Sequence, residues 1–302
     1  PFIILTAFNS PKMRIQSLAA SLALVSGVFA AQLTQVSNYG GSARAKPGMW
    51  VYVPDQVKSD ALVVAIHSCQ SSAQKYFQNS LIPWKKGSDT KGYVTVWPSS
   101  TTECWDVSSK ASLSHNGGGD SNAIANMITY AIDKYKIDPK KVFVTGGSSG
   151  GMMSNVLAAT YPELISAVSL YSGVPAGCFV SASGAAAAWN NTCSGGQSIS
   201  TAQHWGDVVR GMYPGYNGTR PRMQFWHGSV DGTLSPKNYD ETLKQWTNVF
   251  GISTTPTSSK KDTPERNYRT DDFGPSVEGI WAVGVGHSVP SHLTVSEAWF
   301  GL

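Results

Sequence analysis

The chain has 302 residues, of which 41% are hydrophobic and only 14% charged, enough apolar material for a large buried core. That composition argues against a disordered tail or a long solvated helix, and its 30 glycines recur with no period, which excludes a collagen-like chain. The formal net charge of +4 is carried by no basic block longer than the pairs Lys85-Lys86, Lys140-Lys141 and Lys260-Lys261, so the stripe a nucleic-acid binder needs is missing.

Residues 13–31 read MRIQSLAASLALVSGVFAA. Met13 and Arg14 form a short positive start, Leu18 to Val25 a mostly apolar stretch, and Val28-Phe29-Ala30 a small-residue cleavage site. This is the pattern of a secretory signal peptide, and its apolar run is shorter than the ~20 residues a membrane span requires. Residues 1–12 are then an upstream extension. The expectation is an exported, membrane-free protein whose single domain covers residues 32–302.

Within that domain, residues 49–54 (MWVYVP) alternate and stop at proline, as an early strand does. Residues 61–67 (ALVVAIH) and 93–97 (YVTVW) are continuous β-branched runs of the kind buried in parallel sheets. Residues 121–135 place Ile124, Met127, Ile128, Ala131 and Ile132 at helical spacing, with Asp120 as the candidate N-cap. A strand over 141–145 and a helix over 151–161 follow, then strands over 165–171, 222–226 and 280–285. Residues 173–221 read as an irregular excursion over the sheet edge. Strands separated by helical patterns predict an α/β fold, a mostly parallel central sheet flanked by helices.

Four cysteines (Cys69, Cys104, Cys178 and Cys193) fit an oxidising compartment and match no zinc-binding spacing. Sequence order suggests Cys69–Cys104 and Cys178–Cys193, although four cysteines allow three pairings. Asn190-Asn191-Thr192 and Asn217-Gly218-Thr219 are N-glycosylation sequons, which place candidate sites at Asn190 and Asn217.

Gly146-Gly147-Ser148-Ser149-Gly150 fits G-x-S-x-G between an apolar strand and a helix. A serine on such a turn needs a strained backbone and small neighbours, and the turn lifts its hydroxyl above the sheet at a helix N-terminus. Shifting the pattern by one residue would centre it on Ser149. Ser148 is preferred, because Ser149 then lends its N–H to an oxyanion hole. A nucleophilic serine needs a histidine base and an orienting carboxylate, in the order Ser, acid, His after successive strands. Asp231 in HGSVDG and His287 in GVGHS each follow an apolar strand and satisfy that order. Asp207 and Asp240 read as helix-start residues, and His67, His115, His204, His227 and His292 as structural, with His67 and His227 shaping the site floor. The second oxyanion donor is expected in His67-Ser68-Cys69-Gln70, at the Cys69 N–H, where a disulfide to Cys104 would pin the loop.

These segments also carry a family resemblance. VFVTGGSSGGMMSNVLAATYPELISAVSLYSGVPAGCF (142–179), ECWDVSSKASLSHNGGGDSNAIANM (103–127), GMYPGY (211–216), HGSVDGTLSPKNY (227–239) and GVGHSVP (284–290) resemble the secreted fungal esterases of carbohydrate esterase family 1. These PHB-depolymerase-like esterases include acetylxylan esterases and type-B feruloyl esterases. The resemblance covers nearly all of residues 32–302. It implies an α/β-hydrolase fold, no cofactor or metal, a triad on Ser148, Asp231 and His287, and oxyanion N–H groups on Cys69 and Ser149. Trp189, in AAAAWNNTC, matches a tryptophan these esterases place beside the pocket; ordinary packing is its other reading. Two stretches depart from the family pattern, HSCQSSAQ (67–74) and SLIPWKKGSDTKG (80–92), and both are expected to border the acyl pocket.

The expected activity is therefore hydrolysis of acetyl or feruloyl esters on plant cell-wall xylan through an acyl-enzyme, by a monomer acting on a polysaccharide or small ester. A polyester depolymerase and a non-catalytic carbohydrate-binding protein on the same scaffold are the alternatives.

Overall fold

A continuous apolar strand is stable only where both faces of its sheet are covered, and the run LVVAI meets that condition. All five residues of Leu62–Ile66 are buried. Leu62, Val64 and Ile66 join one apolar cluster, while Val63 and Ala65 join another on the opposite face. The structure is a computed structural model and describes residues 1–2, 31–41 and 43–302. The expected extension (1–12) and signal peptide (13–31) lie outside the described residues, except for Pro1, Phe2 and Ala31.

Residues 31–302 form one unit. In chain order its elements are β1 (Thr34–Val36), β2 (Gly48–Tyr52), β3 (Leu62–Ile66), α1 (Ala73–Gln78), α2 (Trp84–Lys91), β4 (Val94–Ser99), α3 (Asp120–Tyr135), β5 (Val142–Gly147) and α4 (Ser149–Thr160). They continue with β6 (Ala167–Tyr171), α5 (Asn191–Ser194), α6 (Ala202–Met212), β7 (Arg222–Gly228), α7 (Lys237–Phe250), β8 (Ser258–Lys261), β9 (Tyr268–Asp272), β10 (Val277–Ala282) and α8 (Leu293–Phe300). The sheet order is β1-β2-β4-β3-β5-β6-β7-β10-β9-β8. From β4 to β10 every pairing is parallel, and both margins are antiparallel. Helices α3, α4 and α7 cover one face, and α1, α2 and α8 supply Tyr76, Trp84 and Phe300 to the other. This is the predicted α/β-hydrolase architecture.

Several expectations change in detail. Gly119, not Asp120, caps α3; Asp120 is the first helical residue, and its N–H donates to Ser112 Oγ (2.9 Å). The supposed irregular excursion over 173–221 contains α6, which buries Trp205, Val209 and Met212. Gly206 lies in this helix, and a Cβ there would overlap the Asn248 side chain on α7, so the glycine leaves room for that side chain between the two helices. Residues 80–92, expected beside the acyl pocket, contain the whole of α2. In that helix Trp84 stacks on Phe300 at 5.6 Å and Lys91 pairs with buried Glu297 at 3.1 Å. The polar strands β8 and β9 escape an apolar-pattern search. Their lysines, Lys260 and Lys261, stand exposed on the sheet's last strand, where charge discourages further strand pairing.

The packing of α4 yields a prediction. A Cβ on Gly150 would overlap the Ile66 and His67 carbonyl oxygens, which are backbone atoms with little room to yield. Gly150→Ala should therefore cost about 3 kcal/mol of stability, read as a lower urea midpoint. A midpoint equal to wild type would show that α4 does not pack this closely on β3.

Candidate active site

Strand β5 ends at Gly147 and α4 begins at Ser149, so Ser148 alone makes the turn, with φ 54° and ψ −122°. A side-chain-bearing residue at positive φ is strained and persists only where its surroundings over-determine it. Here its N–H donates to the Tyr171 carbonyl (2.9 Å) and its carbonyl accepts from the Met152 N–H (2.8 Å). The glycines of the motif serve the same turn, because a Cβ on Gly146 would meet the Gly150 carbonyl at 2.5 Å. The register is also clear: Ser149 is buried in α4, and its Oγ accepts the Trp105 N–H at 2.8 Å.

The structure brings Ser148, His287 and Asp231 together from three separate loops. Ser148 Oγ donates to His287 Nε2 (2.8 Å), and His287 Nδ1–H donates to Asp231 Oδ2 (2.8 Å). Asp231 is buried, while the His287 side chain keeps 23% exposure toward solvent. Asp231 Oδ1 accepts the Thr233 and Leu234 N–H groups at 2.8 and 2.9 Å. Burial alone would push its pKa up, but hydrogen bonds from His227, His287, Leu234 and Thr233 outweigh burial and hold it well below the usual carboxylate range. Asp231 is thus a fixed negative charge beside an imidazole, which can accept a proton at Nε2 and be stabilised in the charged form.

The loop after β3 is crosslinked by Cys69–Cys104, one of the two expected pairings. The Gln70 N–H donates to the Glu103 carbonyl (2.7 Å), and Trp105 Nε1–H to the His67 carbonyl (2.9 Å). His67 Nε2 accepts the Ser100 N–H (3.0 Å), which leaves Nδ1–H to donate to the Ser68 carbonyl (2.7 Å). Burial lowers the His67 pKa, consistent with a neutral ring in the floor of this loop. Among the described residues, the N–H groups of Cys69 and Ser149 find no protein acceptor.

Sequence reasoning placed His227 in the site floor without its partner, and it missed Ser172. His227 Nε2–H donates to the Leu234 carbonyl (3.0 Å) and lies 3.3 Å from Asp231 Oδ2, a second imidazole on the same carboxylate oxygen. Its four-residue spacing from Asp231 was a usable signal. Ser172, buried at φ 50°, donates its hydroxyl to the His287 carbonyl (2.6 Å) and its N–H to the Trp226 carbonyl (2.7 Å). Nothing in the sequence around Ser172 announces that role.

The other candidates belong elsewhere. His115 stacks on Tyr213, His204 meets Trp205 edge-on, and His292 stacks on Trp226. Asp207 pairs with Arg210 within α6, and Asp240 lies in the first turn of α7. Trp189 is 54% exposed, meets Phe179 edge-on at 5.2 Å and donates Nε1–H to Asn191 Oδ1. The second expected disulfide, Cys178–Cys193, closes the segment around it. Asn190 caps α5 through the Cys193 N–H, whereas Asn217 is exposed. Among the described residues, no cluster of His, Cys, Asp or Glu is arranged to hold a metal ion, and no helix is long and apolar enough to cross a membrane.

Comparison with known proteins identifies the fold and the family. The family model described as Esterase PHB depolymerase matches residues 49–267. The probable acetylxylan esterase A of Aspergillus fumigatus is 50% identical over 278 residues, covering 91% of this chain and 74% of that protein. Acetylxylan esterase A of Talaromyces purpureogenus is likewise 50% identical over 278 residues, covering 91% of this chain and 72% of its own length. The solved structure of an acetyl xylan esterase from Aspergillus awamori matches with a TM-score of 0.87 at 49% identity, over 89% of this chain and 99% of that one. A family match across most of the domain and relatives at half identity over nine-tenths of the chain lead to one conclusion: the protein belongs to the Esterase PHB depolymerase family and is a carboxylic ester hydrolase.

Proposed function

We propose that the protein is a secreted serine esterase that removes acyl groups, acetyl foremost, from plant cell-wall xylan. The observation that carries this reading is the unbroken Ser148–His287–Asp231 hydrogen-bond chain in a protein half identical to acetylxylan esterases. The two disulfides support secretion, since such bonds persist in oxidising compartments. The working unit is a monomer, and Asn217, exposed in its sequon, is the better placed of the two glycan acceptors.

In the proposed reaction His287 Nε2 takes the Ser148 hydroxyl proton as Oγ attacks the ester carbonyl carbon. Negative charge moves to the carbonyl oxygen, which the Cys69 and Ser149 N–H groups receive at the N-terminus of α4. Asp231 fixes the imidazole tautomer and stabilises its charged form. The C–O bond to the sugar breaks, the sugar oxygen takes the proton from His287, and the acyl group remains on Ser148. Water then attacks the acyl-enzyme, giving its proton to His287, and the acid leaves as Ser148 recovers its hydrogen. Trp189 offers an exposed ring against which a sugar of the polymer can stack.

Three outcomes test this. Ser148→Ala should lose about 10⁴-fold or more in kcat, whereas Ser149→Ala should lose about tenfold or less; equal losses would reopen the register. The Asp231 pKa is depressed on folding, so its stabilisation is complete above about pH 4, the ordinary carboxylate value, and drains away as pH falls further toward the folded pKa. The stability gap between wild type and Asp231→Asn should therefore shrink as pH falls below about 4; a gap that persists or grows in that acid range would contradict it. Finally, acetylated xylan should release acetate well above the Ser148→Ala blank, and faster than methyl ferulate releases ferulate. Ferulate alone would make the enzyme a feruloyl esterase. Neither acid, with clearing of a polyhydroxybutyrate film, would favour the depolymerase reading that the family description also allows.

A further inference from the structure

The segment 181–188 (SASGAAAA) precedes Trp189, contains no helix or strand and is largely exposed. Its five alanines have no side-chain means of holding a conformation. Ala187 nevertheless sits at φ 50°, a left-handed conformation that costs an alanine about 1 kcal/mol and must be imposed from outside. Among the described residues, every hydrogen bond from this segment to a distant part of the chain goes to Asp106 or Ser108. The Ser181 N–H donates to the Ser108 carbonyl (2.9 Å), and Ser108 Oγ donates to the Ala185 carbonyl (2.9 Å). The Ala187 N–H donates to Asp106 Oδ1 (3.0 Å), and the Ala188 N–H to Ser108 Oγ (2.9 Å).

Both anchors are buried, and they are tied to the candidate site from the other side. Asp106 follows Trp105, whose N–H holds Ser149 Oγ at the start of α4, and Trp105 follows Cys104, bonded to Cys69. Burial would raise the Asp106 pKa, but hydrogen bonds from Ser109, Ala187 and Ser108 outweigh it, so the anchor for Ala187 is an ionised carboxylate. Its second oxygen accepts the Ser109 and Ser112 hydroxyls, which fixes the carboxylate plane.

We propose that Asp106 and Ser108 form a clamp that positions the Trp189 segment against the Ser148 turn, making them specificity-determining positioning residues for the polysaccharide side of the ester. The inference rests on Trp189 facing the substrate. Were Asp106 and Ser108 only folding their own turn over 106–112, their loss would lower stability and affect all esters alike.

The test measures kcat/KM on acetylated xylan and on 4-nitrophenyl acetate, whose small leaving group does not need a sugar platform. Wild type, Ser108→Ala, Asp106→Asn, Trp189→Ala and the Ser108→Ala/Trp189→Ala double variant are compared, with melting temperatures recorded for each. Ser108→Ala should lower the xylan-to-small-ester ratio about fivefold, mainly through KM for xylan, as the loss of one or two hydrogen bonds predicts. Asp106→Asn, which keeps the side chain's shape without its charge, should shift the ratio the same way and carries the comparison should Ser108→Ala fail to fold. The double variant should fall no further than Trp189→Ala alone, because the clamp acts through that ring. A ratio within twofold of wild type in the clamp variants, or losses that multiply in the double variant, would overturn the clamp while leaving Trp189 in place. A wild-type ratio in Trp189→Ala would remove the reading of Trp189, and the clamp with it.

Discussion

The backbone of Ser148 is the constraint on which the rest of the site depends. A parallel strand and the helix that follows it can be joined by one residue only if that residue leaves the ordinary φ range, and Ser148 does so at φ 54°. The turn survives because α4 lies so close to β3 and β5 that Gly146 and Gly150 have no room for side chains. Packing of the sheet thus holds the strain, and the strain in turn fixes where the hydroxyl points. Any loosening of α4 would release Ser148 into a relaxed turn and separate its Oγ from His287.

The neighbouring strand ties Ser148 to His287. The Tyr171 carbonyl accepts the Ser148 N–H, and the next residue, Ser172, reaches with its hydroxyl to the His287 carbonyl. Two adjacent residues at the end of β6 therefore register two loops that lie 139 residues apart in sequence. Asp231 is held just as firmly, with both oxygens engaged by protein donors. His227 spends its Nε2–H on the Leu234 carbonyl and the Asp231 edge together, so the carboxylate cannot rotate without losing several bonds at once. Preorganisation of this sort lets charge develop during reaction without protein rearrangement.

Much of this was legible in the sequence because it is written in local patterns. ALVVAIH and KVFVT are apolar on both faces, which only a covered parallel strand tolerates, and the glycines around Ser148 report close backbone approach directly. The order Ser148, Asp231, His287 followed from strand ends. Long-range geometry left weaker traces. Gly206 leaves room for the Asn248 side chain of α7, a neighbour that only the folded helices reveal. SSKK and YRTDD are strands because they extend the sheet edge, where charge is tolerated, and their composition gave no apolar signal. Ser172 is one of many serines until the His287 loop is folded over it.

In the proposed function the same logic separates chemistry from selection. Ser148, Asp231 and His287 are fixed by regular elements and by backbone bonds whose partners cannot change without disturbing the sheet. The segment before Trp189 has no regular structure, carries alanines at its tip and is hydrogen-bonded to the body of the protein through two residues, Asp106 and Ser108. A segment attached in that way can change length or sequence without moving the catalytic turn, provided the two anchors still find backbone partners. Its anchors also sit beside Trp105, so the strap that carries Cys69 and the segment that carries Trp189 share one foundation. In the proposed reading, reactivity toward the acyl carbon and recognition of the alcohol side are aligned through a single buried stretch of chain.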